Sequence, residues 1–483
     1  MTDLRPVGYV IGLMVALMGL AMLVPLGVDL WLGNGTAAGG FLESALLTIL
    51  VGGLMALTCA NSVSGGMTIQ QVFLLTTGVW AVLPVFGAIP FIQGATGAGI
   101  TDAYFEAMSG LTTTGSTVFR DLDEFPAGLL LWRSMLQWFG GIGIIVVAMA
   151  FLPELRVGGM QIFRSEGFDT DGKVLPRAAE IASRISIVYF VLTLACFLAY
   201  LGAGMSVFEG INHAFTTIAT GGFSTHDASF GAFSAAAQMV AVVFMILASL
   251  PFVRYVQLLA GSTRPLISDS QVITFFWTLL ALIAVLALYR LTRDAGGDLE
   301  MFREVIFNIT SITTGTGFAS VDYQLWGDFP IAVFFFIGLI GGCAGSTTCS
   351  VKIFRYQLLF TAIANQVRQI HSPHGVFKHK YQGRTLGEDV VSSVMAFLTL
   401  FFVTLGVVAV LLSATGLDFI TSISGAATAI ANVGPGLGDA IGPSGNFGDL
   451  NVAAKWILSA AMLIGRLELM VVFVLFTSRF WNA

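Results

Sequence analysis

Four short segments of this sequence have a composition suited to holding a cation through backbone carbonyl groups. Each ends in glycine, which takes positive φ at little cost and lets backbones approach one another closely. The segments are Thr113-Thr114-Gly115, Thr220-Gly221-Gly222, Gly315-Thr316-Gly317 and Asn432-Val433-Gly434. Four such loops around one axis would supply stacked rings of carbonyl oxygens, which can replace the hydration shell of an ion.

The chemistry of these four triplets favours a monovalent cation, most simply potassium. Within the triplets there is no ring of acidic or basic side chains, unlike filters that select ions through charged groups. One triplet alone would be weak evidence, because glycine and threonine are common in membrane helices for close packing. Four copies in the same context make a stronger case. We therefore predict that K⁺ binds at these filter residues, and we expect no organic cofactor in this chain.

The elements that must position the triplets recur in a fixed order. Each triplet ends a short apolar segment of about 12 residues, which is too short to cross a bilayer and is typical of a re-entrant helix. These segments lie near 102–114, 208–220, 303–315 and 419–432. Stretches of about 20 apolar residues, long enough to cross, lie near 7–29, 41–60, 69–92, 127–152, 185–205, 234–259, 271–291, 329–350, 391–414 and 453–477.

This order predicts an all-α polytopic membrane protein with ten transmembrane helices and four re-entrant pore helices. They would form four pseudo-symmetric helix–pore loop–helix repeats around one pore. The predicted divisions are 1–66 for two extra N-terminal spans and 67–157, 158–262, 263–365 and 366–483 for the repeats. An acidic residue recurs at one register before the last glycine, as Asp102, Glu209 and Glu304, with Thr421 and the nearby Asp418 in the fourth copy. Helix capping is the predicted role of these residues.

Composition excludes a soluble globular protein. Apolar residues make up 56% of the chain and charged residues 10%, and the mean hydropathy is +0.87, whereas soluble domains average about 25% charged residues. We find no basic tract for nucleic acid. The cysteines offer no disulfide framework and are interpreted as small buried apolar residues. The first apolar run, from about Val7, is interpreted as a span rather than a signal peptide.

The distribution of charge predicts the orientation. Lysine and arginine are concentrated in the connections 153–183, 254–270 and 352–388, which places the N-terminus in the cytoplasm by the positive-inside rule. Acidic residues are concentrated on the side of the re-entrant segments. They would concentrate cations at an outer vestibule, or they could simply solubilise the outer loops.

Two features of the later spans are unusual. The ten small or polar residues 341–350 interrupt an apolar span, where each glycine destabilises a helix by about 1 kcal/mol. They indicate either an irregular segment or a close-packed helix crossing. Arg466 and Glu468 lie near the middle of the last span. Since a central charge costs at least about 2.5 kcal/mol, we expect these side chains to face the protein interior or a partner, and their spacing does not favour a local pair.

The sequence resembles the Trk/Ktr/HKT superfamily of potassium transporters over essentially its whole length, and most closely the bacterial TrkH subunits of potassium uptake. The most specific stretches are Pro153–Glu166 and the four triplets. The resemblance implies that Gly115, Gly222, Gly317 and Gly434 line a selectivity filter. It also implies a gating loop at 341–350 and an arginine, here Arg466, in the pore below the filter. The predicted gate residues in that loop are Gly341, Gly342, Gly345, Ser346, Thr347 and Thr348.

The same resemblance predicts a transporter and not an enzyme. It implies potassium uptake across the bacterial inner membrane by a homodimer embedded in membrane lipid, under a TrkA-like cytoplasmic nucleotide-binding regulatory subunit that docks on the basic loops 153–183 and 352–388. None of the triplets is followed by the tyrosine of a simple T-V-G-Y filter, so looser selectivity is expected.

Other functions were weighed against this one. A potassium symporter coupled to protons or sodium remains open and would need an ionisable relay, for which Arg466 and Glu468 are the candidates. The sequence Gly436-Leu437-Gly438-Asp439 matches the motif of intramembrane aspartyl proteases but lacks a second membrane aspartate. His371, His374 and His379 are expected to be solvated rather than to bind a metal.

Overall fold

The computed structural model describes residues 3–62, 67–94, 96–147, 158–160, 174–293 and 298–482. Within them, seven helical runs are long and apolar enough to cross a bilayer. The runs are Arg5–Trp31, Gly35–Cys59, Ile69–Gln93, Ala127–Val146, Ala182–Gly202, Ser270–Arg293 and Glu388–Ala414. The fifth belongs to a longer helix, Val174–Gly202. The chain is therefore helical and built for a membrane, as predicted.

Three of the ten predicted spans are not continuous helices. The segment predicted at 234–259 consists of Ala235–Ala248 and Phe252–Leu259, which meet at an angle of 88°. The segment predicted at 329–350 forms only the helix Asp328–Ile337. The last one is divided into Val452–Arg466 and Met470–Val474. These breaks leave backbone groups free of helical hydrogen bonds.

The four short helices end directly at the triplets. Their bounds are Ile100–Leu111, Val207–Ile218, Leu299–Thr313 and Phe419–Ala431, and they are called short helices 1 to 4 from here on. Some of them pack against the long helix that follows the preceding triplet. Short helix 2 contacts Ala127–Val146, and short helix 3 contacts Ala235–Ala248. Short helix 4 contacts the helix that follows it, Val452–Arg466. These contacts connect successive loops.

The capping prediction is correct for some of the acidic residues and wrong for others. Glu209 completes a capping box with Ser206, and the Asp418 side chain accepts from the Thr421 backbone amide. Glu304, however, lies in the second turn of short helix 3 and pairs with Arg290 at 2.6 Å. The cap of that helix is Asp298, whose side chain accepts from the amide of Met301.

The first two spans cross at paired glycines. A Cβ atom on Gly12 would lie 2.9 Å from the carbonyl oxygen of Gly52, so only glycine allows the two backbones to come this close. Gly52 stands on the facing helix with the same restriction. These spans contact the rest of the protein mainly through Ile69–Gly87 and Ala127–Val146.

The basic connections differ from simple loops. The region predicted as the connection 352–388 contains the helix Ile353–His371 and a two-stranded antiparallel hairpin, Lys380–Tyr381 with Arg384–Thr385. Most of the connection 153–183 and of the stretch Pro153–Glu166 lies outside the described residues. The remaining small elements are Arg264–Ile267, Ser478–Asn482 and the 3-10 turns Ala60–Ser62, Leu122–Glu124, Ser229–Ala232, Tyr323–Trp326 and Phe447–Asp449.

Candidate functional site: a ring of four glycine turns

The four triplets meet in a closed ring around one axis. An added Cβ on the last glycine of each triplet would lie 2.8 Å or less from a carbonyl oxygen of the next triplet. In order, Gly115 faces Gly221, Gly222 faces Thr316, Gly317 faces Val433, and Gly434 faces Thr114. The fourth contact returns to the first triplet. These four glycines are called the glycine ring, and no larger residue could stand at any of them without moving a neighbouring backbone.

All four triplets share one backbone conformation. The ring glycines have φ of 88°, 82°, 83° and 109° in chain order. The residue two positions earlier is also left-handed in every copy, with φ of 51° at Thr113, 49° at Thr220, 69° at Gly315 and 51° at Asn432. Left-handed residues that alternate with ordinary ones turn successive peptide groups in a common direction. The sequences differ between copies, but the conformation needed to stack carbonyl groups is repeated.

Direct hydrogen bonds join the fourth triplet to the first. Ser116 Oγ donates to the carbonyl oxygen of Gly434 at 2.7 Å, and the Asn432 side-chain amide donates to Thr114 Oγ1 at 2.9 Å. The Asn432 amide also donates to the Met462 carbonyl oxygen at 3.0 Å. Two polar side chains therefore close the ring between residues that are far apart in sequence.

An open cavity of about 380 Å³ lies on one side of the glycine ring and is called the vestibule. All four ring glycines line it, together with charged residues of both signs: Arg120, Asp121, Arg133, His226 and Asp227. Several of the acidic residues predicted to face this side are paired with cations. The pairs are Asp102 with Lys455, Glu304 with Arg290, Asp123 with His226, and Asp449 with Arg120. Part of the negative charge predicted on this side is therefore neutralised by these pairs.

His226 connects the first two loops at the rim of the vestibule. Its ring nitrogens contact the carboxylates of Asp123 and Glu209. Burial by itself would lower the pKa of His226, but the two carboxylates outweigh burial and raise that pKa above its ordinary value. Burial raises the pKa of the neighbouring Asp227, whose side chain accepts from the Leu122 amide at 3.0 Å.

A buried ion pair supports the first triplet from behind. Glu106 on short helix 1 bonds Arg133 at 2.8 Å, and both side chains are at most 1% exposed. The Glu106 carboxylate also accepts from the Val118 amide at 2.9 Å. Arg133 in turn donates to the Ser224 carbonyl oxygen at 3.0 Å. The pair thus fixes the chain that follows Gly115 and reaches the corresponding part of the second loop.

The other copies have polar contacts without an ion pair in this part of the short helix. In the second, His213 bonds Ser224 Oγ at 3.0 Å. In the third, the Asn308 side-chain amide donates to Ser320 Oγ at 2.8 Å. The fourth copy has Gly425 at this register, and Oγ of the adjacent Ser424 accepts from the Leu437 amide at 2.9 Å. Sequence reasoning missed all of these residues, although a polar residue recurring in mid-helix of short apolar helices was a usable signal.

Gln137 holds the second triplet directly. Its side-chain amide donates to the Gly221 carbonyl oxygen at 2.6 Å and accepts from the Phe223 amide at 3.1 Å. Gln137 lies on the helix Ala127–Val146, which follows the first triplet along the chain. The second loop is therefore positioned by its neighbour as well as by its own short helix.

On the opposite side of the glycine ring, residues 338–352 form the irregular segment expected from the sequence. The ends of the segment are joined by backbone bonds, from the Gly341 amide to Val351 at 2.8 Å and from the Val351 amide to Leu339 at 3.3 Å. A Cβ on Gly341 would overlap the carbonyl of Cys349. The alternative of a continuous close-packed helix at 341–350 is therefore wrong.

The tip of this segment docks on the break in the span Ala235–Leu259. Pro251 has no amide hydrogen, so the helix stops and nearby backbone groups are left free. The Cys343 amide donates to the Ser249 carbonyl oxygen at 3.1 Å, and the Phe252 amide donates to Gly345 at 2.9 Å. Thr347 Oγ1 donates to the carbonyl oxygen of Ala248 at 3.0 Å. The broken helix and the irregular segment satisfy each other's hydrogen bonds.

Cys349 and Arg466 meet directly beneath the glycine ring. The Cys349 thiol lies 3.6 Å from Thr113 Oγ1, and Arg466 Nη1 bonds the same sulfur. Arg466 Nη2 donates to the Gly140 carbonyl oxygen at 3.3 Å, whereas its Nε atom is buried and has no hydrogen-bond partner in the described part of the chain. Cys349 was interpreted as a small buried apolar residue, and its contact with the arginine was not foreseen. None of the other cysteines, Cys59, Cys196 and Cys343, takes part in a disulfide among the described residues.

Arg466 and Glu468 do not form a local pair, in agreement with their spacing. Glu468 pairs with Arg355, which is fully buried and also donates to the Gly158 carbonyl oxygen at 3.0 Å. Among the described residues, no carboxylate bonds Arg466. Arg466 instead pairs with groups on two other elements, the Cys349 thiol and the Gly140 carbonyl oxygen.

The space beneath the ring is nearly filled. The cavity bounded by Gly345, Cys349, Asn432, Arg466 and other residues measures about 30 Å³. A single water needs about 10–15 Å³ by this measure, so the space holds about two or three waters. Asp439, the candidate for a protease site, is exposed, and so are His371 and His374, the candidates for a metal site. The described residues contain no cluster of side chains that could hold a metal ion.

Known proteins share both the sequence and the fold. A family model described as "TrkH: Cation transport protein" matches residues 40–482. The chain belongs to the TrkH family. It is 44% identical to the Trk system potassium uptake protein TrkI of Halomonas elongata over 414 residues, covering 85% of this chain and 84% of that protein. It is 36% identical to TrkH of Vibrio parahaemolyticus over 488 residues, covering 99% of each.

A solved structure extends the similarity to three dimensions. The crystal structure of the potassium transporter TrkH from Vibrio parahaemolyticus superimposes with a TM-score of 0.92 at 34% identity, covering 99% of this chain and 100% of that one. As a TrkH-family member, this protein is a transmembrane cation transporter and not an enzyme. The family assignment made from the sequence is confirmed, and the protease interpretation is set aside.

Proposed function

We propose that this TrkH-family protein is the ion-conducting subunit of a potassium-uptake system and that the glycine ring is its selectivity filter. One observation carries the proposal: each ring glycine faces a carbonyl oxygen of the next loop, and the contacts close after four loops. Carbonyl rings of this kind bind dehydrated monovalent cations. The relatives named above, TrkI and TrkH, are potassium uptake proteins. The K⁺ sites would involve the backbone of the triplets 113–115, 220–222, 315–317 and 432–434.

The gate in this proposal is the segment 341–350 together with Arg466. Gly341, Gly342 and Gly345 allow the tight path of the segment, and Ser346, Thr347 and Thr348 make its internal and docking hydrogen bonds. The Arg466 cation would repel an ion that enters from below. Cys349 joins these predicted gate residues because it touches both Arg466 and Thr113. Moving the segment away from the ring would open the path.

The architecture that goes with this function has ten membrane passages, some of them broken, and four re-entrant helices in four repeats. The proposed setting is the bacterial inner membrane with the N-terminus in the cytoplasm. There the protein would act as a homodimer, surrounded by lipid, with a TrkA-like nucleotide-binding subunit on its inner surface. The word "system" in the names of the relatives supports a multi-component assembly. The helix Ile353–His371 and the adjoining hairpin are the described elements closest to the predicted docking surface.

The decisive experiment is cation flux through purified protein in vesicles held at a fixed membrane potential. We expect potassium to pass faster than sodium, with no dependence on a proton or sodium gradient. Accumulation of potassium against its electrochemical gradient, driven by protons or sodium, would instead establish the symporter alternative. Equal flux of potassium and sodium would contradict the proposed filter. Nucleotide should change the flux only after a TrkA-like subunit is added.

A further inference from the structure

A large apolar cavity lies among the first, third and fourth spans, outside the proposed ion path. Its volume is about 550 Å³, within the range of about 300–1,000 Å³ that is usual for small-molecule sites. Val10, Met14, Leu17, Val79 and Trp80 are among the residues that line it. All of these lie on helices long and apolar enough to cross the bilayer.

The two hydroxyl groups in the lining are already satisfied. Thr76 Oγ1 donates to the Val72 carbonyl oxygen at 2.8 Å, and Ser186 Oγ donates to the Ala182 carbonyl oxygen at 2.7 Å. Water entering the cavity would find few hydrogen-bond partners and would be poorly held. Left unfilled, a cavity of this size forfeits the dispersion contacts of its lining. An apolar molecule in the cavity would therefore be more favourable than either water or empty space.

One side of the cavity faces lipid. Leu17 is 57% exposed and Met14 is 37% exposed, and both belong to the first span. At this depth of a bilayer, the molecules in contact with these side chains are lipid acyl chains. An acyl chain is thus the apolar group with direct access to the cavity from the membrane.

The inner wall of the cavity is formed by residues that hold the proposed gate arginine. Trp80 is 5% exposed, and the Arg466 guanidinium carbon lies 5.7 Å from the centre of its ring. Gly140, whose carbonyl oxygen accepts from Arg466, also lines the cavity. Leu111, the last residue of short helix 1, completes this wall. An occupant would touch the support of both the first triplet and Arg466.

We propose that this cavity binds one acyl chain of a membrane phospholipid, inserted between the first and third spans and seated against Trp80. The chain fills the volume that the side chains leave empty and buttresses the wall behind Arg466. This site does not depend on which cation passes the glycine ring.

Quenching of Trp80 fluorescence by a phospholipid with brominated acyl chains tests the proposal. The full-length protein is placed in vesicles of brominated or ordinary lipid, and the Trp80 emission is taken as the difference between wild type and Trp80→Phe. We expect brominated lipid to quench the Trp80 emission by at least half, although this side chain is almost completely buried in the protein.

Two variants separate the cavity from general lipid contact. Ala21→Phe and Val10→Phe each place a ring in the cavity from different positions, and each should reduce the quenching of Trp80 at least twofold. Leu20→Phe is the matched control, because Leu20 is 50% exposed on the same span and does not line the cavity. Native mass spectrometry should detect one more retained phospholipid in wild type and in Leu20→Phe than in the two filled variants.

Either of two results would overturn the proposal. An unquenched Trp80 in wild type would mean that a protein surface, such as a second copy of this chain, closes the cavity to lipid. Equal quenching in all folded variants would mean that bromine reaches Trp80 from the membrane surface rather than from within the cavity. Because two filled variants are compared, failure of one to fold leaves the other to decide.

Discussion

Gly317 illustrates the constraint on a single residue of the glycine ring. It combines φ of 83° with a position at which a Cβ would overlap the Val433 carbonyl. A side chain there meets both backbone strain, about 1–3 kcal/mol for a residue held in such a conformation, and a direct clash. Relief of the clash requires movement of the very carbonyl group that is proposed to bind the ion.

Gly317→Ser should therefore lower the ratio of potassium to sodium permeability several-fold, because displaced carbonyl oxygens no longer match a dehydrated potassium ion. The ratio is measured from reversal potentials or competitive flux in vesicles. Gly53→Ser is the control, since Gly53 has open space around its Cα on the second span. An unchanged ratio in well-folded Gly317→Ser protein would refute the proposed register of the filter.

The Glu106–Arg133 pair supports the first triplet, and its loss should lower the stability of the protein more than the loss of any other single contact of the ring. Removing one partner of a buried ion pair costs about 3–5 kcal/mol, because the other charge is left uncompensated. Glu106→Gln should thus lower the midpoint of thermal unfolding and weaken potassium selectivity. The exposed Glu124→Gln serves as the control for a change of charge. A thermal midpoint equal to wild type would show that the pair does not hold the first loop.

Sequence alone could identify the triplets but not the side chains that position them. The triplets carry a local signal, glycine after a short apolar helix, which repeats in four copies. Glu106 and Arg133 meet only because short helix 1 packs on the following span, and Gln137 reaches a loop of the next repeat. Such contacts depend on tertiary packing, and the spacing of these residues along the chain does not predict them. Cys349 was misjudged for the same reason.

At the scale of elements, segment 341–350 is held on the broken span mainly by backbone hydrogen bonds. Its bonds come from Cys343, Gly345 and Thr347, and the Ala344 amide adds a bond to the Gln271 side chain at 2.9 Å. Each such bond contributes about 1 kcal/mol net. The docked position of this segment is therefore stabilised by several modest contributions that can be removed one at a time.

Thr347→Val removes the hydroxyl bond to the Ala248 carbonyl oxygen while nearly preserving side-chain volume. A loss of about 1 kcal/mol changes an equilibrium about fivefold, so basal potassium flux should rise by roughly that factor. Thr399→Val is the matched control, because the Thr399 hydroxyl bonds only its own helix, at Met395. Basal flux that stays at or falls below the wild-type rate would contradict the docking of this segment as the gate.

The break at Pro251 shows where hydropathy alone fails at the element scale. The segment 234–259 is apolar throughout most of its length, and length with hydropathy predicted one straight span. Pro251 cannot donate to Leu247, and the Tyr255 hydroxyl bonds the Leu247 carbonyl oxygen instead, at 2.7 Å. Proline was the signal for the break, but the direction of the 88° turn depends on the segment that docks there.

On the scale of the whole molecule, the four triplets share a backbone conformation but are supported by different side chains. The first loop is held by a buried ion pair, whereas polar contacts behind the others use imidazole, amide and hydroxyl groups. The segment 341–350 follows the third triplet along the chain, and Arg466 follows the fourth. The first and second are joined at the vestibule by His226 with Asp123 and Glu209.

The His226 contacts should make stability depend on pH. Because the folded protein raises the pKa of His226 above its ordinary value of 6.5, protonated His226 stabilises the fold fully below that value, and the contribution is lost as pH rises through the raised pKa. The thermal midpoint of wild type should fall from about pH 6.5 upward, more steeply than that of His226→Gln. His374→Gln, at an exposed histidine, should follow wild type. Parallel profiles for wild type and His226→Gln would contradict this prediction.

In the proposed gate, release of segment 341–350 from the broken helix also requires water. Once segment 341–350 leaves, the Ser249 carbonyl and the Phe252 amide lose their partners in the middle of a membrane protein, where hydrocarbon offers none. Water is then the only remaining hydrogen-bond partner for these two groups, so the path must fill with solvent as the segment moves away. The open state consequently takes up water that the closed state excludes. Osmotic stress from a solute too large to enter the path should therefore favour the closed state and reduce the flux.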